Sequence, residues 1–140
     1  MPGWGPGSFE NDDAQAWLAT LASLAVGDLR VPLVRAADKE DYLETPESSV
    51  AIAAAEAVAA LKQVPADVLP KEVAEWVRRV TPQKTDASIP ELTALAARAV
   101  QRVRTNSELK DLWLEADGLN EWSANLRDLE ARLAEERLAG

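Results

Sequence analysis

Residues 45–64 read TPESSVAIAAAEAVAALKQV, and the way this stretch is read decides the fold. Between Ser49 and Lys62 its only charged residue is Glu56, set among Val50, Ile52, Val58, Leu61 and a run of alanines. A helix that offers water so little polar surface packs inside other helices. Its start is signalled by Thr45 as cap, Pro46 at the first helical position and Glu47 in the first turn, and Pro65 lies beyond its end. At helical spacing Val50, Val58, Leu61 and Val64 share one broad side, while Ser49, Glu56 and Gln63 form a stripe roughly opposite. Two readings of Glu56 follow: it faces water along that stripe, or it is enclosed. Ile52, Ala53, Ala59 and Ala60 flank the stripe, and it lacks the four-apart ion pairs of a solvated face. Both facts favour enclosure.

Working outward, every other periodic segment is an amphipathic helix. A first helix begins after the cap Asn11, with Asp12 and Asp13 in its first turn; Trp17, Leu18, Leu21 and Leu24 recur at steps of three and four until Gly27 and Asp28 stop it. A shorter helix covers residues 31–37, with Pro32 tolerated only in its first turn. Past the central helix, residues 70–80 place Val73, Trp76, Val77 and Val80 inward, and residues 81–87 are the most loop-like in the chain. Ser88 and Glu91 have the form of a capping box for a helix reaching Arg104. Asn106 or Ser107 caps the next, which Gly118 stops, and the last helix carries Trp122, Leu126, Leu129 and Leu133. No strand pattern and no repeat is present. The prediction is an all-α single domain over residues 1–140: six or seven helices around the alanine-rich one, with residues 1–10 as an ordered Gly/Pro-rich arm in which Trp4 plugs one end of the core.

Composition narrows the chemistry. Hydrophobic residues make up 47% and charged residues 28% of the 140, which suits a globular chain and neither a disordered nor a membrane-spanning one. With no Cys and no His, disulfides, zinc sites and Cys-His or Ser-His-Asp catalysis are excluded. Carboxylate, Lys, Ser/Thr or Tyr chemistry remains, with Mg²⁺ or Ca²⁺ as the accessible metals. The opening residues show no export signal, so a cytoplasmic location is expected, with no membrane partner. The net charge of −9 argues against nucleic acid as a partner. Residues 1–70 carry −7, residues 71–104 carry +3 and residues 105–140 carry −5, so the basic middle is expected to pack against its acidic neighbours.

The residues Gly3-Trp4-Gly5-Pro6-Gly7-Ser8-Phe9-Glu10-Asn11-Asp12-Asp13-Ala14 resemble the opening G-x-W-G-x-G-x-F-E-N-D-D-A of a bacterial family, domain of unknown function 4259. The resemblance continues through Trp17, Asp41-Tyr42-Leu43-Glu44, Glu56 and Glu121-Trp122. Pro2 ahead of the first motif glycine and Ala16, where an acidic residue is expected, depart from it. The resemblance implies a bacterial cytoplasmic protein and supplies no activity.

Three functional readings stand. The acidity and the missing His and Cys favour a non-enzymatic module that binds a basic protein, an adaptor or an immunity-like antagonist, with no cofactor. Alternatively Glu10, Asn11, Asp12, Asp13, Glu44 and Glu56 converge where the arm meets the central helix, as a carboxylate hydrolase or divalent-metal site. For Glu44 and Glu56 themselves, the structural expectation is an internal ion pair with Arg98 or Arg102, one turn apart on the fifth helix, or a bond from a Trp indole.

Overall fold

In the computed structural model, which describes residues 5–80 and 88–135, the alanine-rich stretch is helix α3, Thr45–Leu61, and residues 51–61 are buried without a break. Around it stand α1 (Asp12–Leu21), α2 (Arg30–Ala37), α4 (Lys71–Val80), α5 (Ser88–Thr105), α6 (Glu108–Glu115) and α7 (Leu119–Ala134), and α3 touches all six. A 3-10 turn, Val26–Leu29, joins α1 to α2. The described residues hold no strand and form one compact all-α domain. The alanines explain the arrangement, since small side chains let neighbours approach on every side while each buried methyl still leaves water.

Several boundaries differ from the sequence reading. Thr45 does not cap α3; Glu44 takes that position, and the Thr45 N–H and hydroxyl both donate to Glu108 Oε1 at 2.8 Å. Glu108 N–H in turn donates to Leu43 O at 2.8 Å, so the starts of α3 and α6 cap each other. Helix α1 stops at Leu21, short of Gly27. The turn that follows is tied to α4, where Trp76 Nε1 donates to Leu24 O (2.9 Å) and Arg79 donates to the same oxygen (2.8 Å) and more weakly to Leu21 O at the helix end (3.4 Å). Trp17, which heads the apolar stripe read for the first helix, is only half-buried, whereas Trp76 is buried.

Two helices end on left-handed residues that are not glycine. Gln63 (φ 68°) closes α3 and Asp117 (φ 60°) closes α6. In each case the next residue's N–H returns to a carbonyl of the last turn, Val64 to Ala59 and Gly118 to Trp113, both at 3.0 Å. Gly118 therefore does not supply the positive φ. It is needed for closeness, because a Cβ there would lie 2.7 Å from the Trp113 ring. The expectations for Trp4 and for the loop at residues 81–87 fall outside the described residues.

Candidate functional site

Glu56 lies about two-thirds of the way along α3 with no solvent exposure. A carboxylate moved out of water costs several kcal/mol unless donors replace the water. Three donors do so. Arg132 of α7 grips it in a fork, one terminal nitrogen 2.9 Å from Oε1 and the other 3.1 Å from Oε2, and Ser8 Oγ of the arm donates to Oε2 at 2.6 Å. Asn125, seven residues before Arg132 on the same face of α7, donates from Nδ2 to Ser8 Oγ at 3.0 Å. Arg132 also donates to Val64 O (3.1 Å) and to the exposed Asp128 (2.8 Å), and its side chain is 13% exposed. Burial works against the guanidinium's charge, but the hydrogen bonds and charges of Glu56 and Asp128 outweigh it and hold its pKa above the ordinary arginine value.

The arm reaches Glu56 through a tight turn that its own glutamate holds. Gly5 N–H donates to Glu10 O (2.9 Å), Glu10 N–H to Gly7 O (3.2 Å) and Gly7 N–H to Glu10 Oε1 (2.8 Å). A Cβ on Gly5 or Gly7 would strike the Glu10 carboxylate and push it out of this turn. Below the turn is a recess bounded by Gly5, Gly7, Ser8, Trp113, Trp122 and Asn125, with room of about 10 Å³, roughly one water molecule.

The predicted polar cluster does not assemble. Glu10 serves its own turn, Asn11 Oδ1 caps α1 by accepting from Ala14 N–H at 2.8 Å, and Asp12 and Asp13 occupy the first turn of α1. Glu44 is exposed beside Lys39 at the far end of α3, twelve residues from Glu56 and so roughly 18 Å along the axis. Among the described residues no group of three or more acidic side chains is placed to hold a metal ion.

The predicted ion pairs are replaced as well. Arg98 pairs with Asp38 at 3.2 Å, and Arg102 donates to the carbonyls of Lys39, Asp41 and Asn106. Both lie where α5 passes the 38–44 connector, so the partner of Glu56 comes from α7. Sequence reasoning missed Ser8, Asn125 and Arg132. The seven-residue spacing of Asn125 and Arg132, beside the Trp122–Leu126–Leu129–Leu133 stripe, was the available signal.

The fold and site together define a class: a small all-α protein whose central alanine helix carries one buried acid, closed off by an N-terminal glycine arm and the last helix. Among the described residues no helix is long and apolar enough to cross a membrane. The chain belongs to the family described as Domain of unknown function (DUF4259), whose family model matches residues 3–125. That span takes in Ser8, Glu56 and Asn125, and Arg132 follows seven residues after it. Comparison with curated proteins and with solved structures gives no match.

Proposed function

We propose that this protein is a non-enzymatic, cytoplasmic bacterial protein-binding module, an adaptor or immunity-like antagonist that docks on a basic protein. The observation that carries the reading is how the acids are used. Glu56 and Glu10 are spent internally, on Arg132 and on the arm turn, whereas Asp41, Asp111 and Glu115 stand exposed, with no salt bridge to a cation among the described residues. Unpaired surface acids on a chain of net charge −9 attract a basic partner and speed its approach. The test is affinity capture from the native host, then reconstitution of the complex from purified proteins at low and high salt. A stoichiometric complex that salt weakens supports the reading; no complex, or one indifferent to salt, ends it.

A second reading, a carboxylate hydrolase, draws on one contact: Ser8 Oγ donates to Glu56 beside the recess. It ranks lower because Arg132 occupies both oxygens of Glu56 and a recess for one water admits no substrate carbonyl. Covalent labelling of Ser8 by a fluorophosphonate would reverse that ranking.

A further inference from the structure

Of the large apolar side chains exposed among the described residues, two share one surface. Tyr42, 51% exposed, donates its hydroxyl to Asp111 Oδ2 at 2.5 Å, and Leu114, 57% exposed, lies one turn beyond Asp111 on α6. Tyr42 is not loosely held. Its neighbour Leu43 is fully buried, and Leu43 O accepts from Glu108 N–H, so the backbone that presents the ring is fixed before anything binds. An aromatic held in advance loses little freedom on binding, which is what an interface anchor requires.

The surroundings of this pair are mostly acidic. Asp111 and Glu115 lie along the outer side of α6, Glu108 begins it and Asp41 precedes Tyr42; among the described residues none of these four forms a salt bridge, while Lys39 feels the charge of Asp41 and Lys110 lies one turn before Leu114. The field they make is felt at the Tyr42 hydroxyl. Its bond to Asp111 first, then burial, then the charges of Asp111, Glu108 and Glu115 push its pKa up to about 12.

Resting on the protein-binding reading above, we propose that the outer face of α6 with Tyr42 is the docking surface, and that its occupant is a basic amphipathic helix of the partner protein. Charge complementarity selects that occupant. An apolar side chain of the incoming helix covers Leu114 and Tyr42, and Arg or Lys one turn to either side pairs with Asp111 and Glu115. An acidic or neutral helix would leave these carboxylates desolvated without a partner. A duplex or an anionic membrane would be repelled.

The probe is a labelled synthetic Leu/Arg/Lys amphipathic helix, titrated with the full chain and followed by anisotropy, beside a version with its leucines changed to alanine. Leu114→Gln is expected to weaken the leucine probe about tenfold while leaving the alanine probe within about twofold. The pair Asp111→Asn with Glu115→Gln is expected to weaken both probes about tenfold, whereas Glu72→Gln with Glu75→Gln on α4, an equal change in net charge, leaves both within about twofold. Circular dichroism melts verify that each variant folds. Saturable binding that ignores the α6 changes, or falls equally with the α4 pair, overturns this surface and leaves the protein-binding reading standing. No saturable binding of either probe overturns this surface, and failure of the host reconstitution separately ends the broader reading.

Discussion

Replacing Arg132 by Met tests the central network most directly. The change keeps the aliphatic stem but removes the fork on Glu56, leaving a fully buried carboxylate with Ser8 Oγ as its sole donor. Breaking a buried pair from one side costs about 3–5 kcal/mol, because the remaining charge is stranded. Glu56→Gln should cost less, about 1–3 kcal/mol: the amide still accepts from Ser8, and Arg132 keeps Asp128, Val64 O and an edge to solvent. The double change Glu56→Met with Arg132→Met strands no charge and should recover to within about 2 kcal/mol of wild type. Asp128→Asn is the control, since the Asp128 side chain is 66% exposed and such a pair contributes under about 1 kcal/mol. Urea unfolding of the full chains with a common slope reads all four against an expected total of about 5–15 kcal/mol. Arg132→Met within about 1 kcal/mol of wild type, or a double change that costs as much as Arg132→Met alone, would refute the reasoning.

Three further outcomes are expected. The Glu108 carboxyl is held below its ordinary value of 4.5 by the Thr45 N–H and then the Thr45 hydroxyl. Its stabilisation is therefore present above 4.5 and lost as pH falls through the depressed value; Glu108→Gln should flatten the acid limb of Tm against pH, and curves that stay parallel down to the lowest pH would count against it. Tyr42 is the chain's one tyrosine, so tyrosinate absorbance should rise near pH 12, and nearer 10.0 in Asp111→Asn. Because that pKa is raised, its stabilisation holds below pH 10.0 and is lost as pH climbs through about 12, a loss that Tyr42→Phe should lack. Gly118→Ala places a methyl against the Trp113 ring and should cost about 1–3 kcal/mol, while Asp117→Gly relieves the positive φ and should gain up to about 1 kcal/mol; unfolding midpoints that move the other way would contradict both assignments.

The all-helical plan was legible because helical periodicity is local: the stripe in α7, the proline and acidic residue opening α3, and the Asn11 cap each sit within a few residues of what they specify. The enclosure of Glu56 followed from what its neighbours lack. Its partner did not, because Ser8 and Arg132 lie 48 and 76 residues away and local spacing says nothing about which of several arginines meets it. Arg98 and Arg102 looked suited only because they were a turn apart on a long helix. The same limit misplaced the cap of α3, since Glu108, 63 residues from Thr45, supplies what Thr45 was expected to provide. Gly118 was read in the wrong role because glycine signals both a positive φ and a close approach, and sequence does not say which.

A buried ion pair adds little net stability over a well-packed apolar pair, so stability alone does not account for Glu56. The surface of α3 does. A helix buried through residues 51–61, where seven of the eleven residues are alanine, presents small methyls in most directions, so apolar packing discriminates poorly between one rotation of α3 and another. A single acid removes that ambiguity. In the observed rotation it meets the Arg132 fork and the Ser8 hydroxyl; turned toward α2 or α5, whose buried residues are apolar, it would lose those donors at a cost of several kcal/mol. The same contact fixes three segments at once, because Ser8 brings the glycine arm over the Trp113 and Trp122 recess and Arg132 ties the end of α7 to the end of α3 through Val64 O. The acid thereby sets the register of the core, and the exposed face of α6 is held in place by that register.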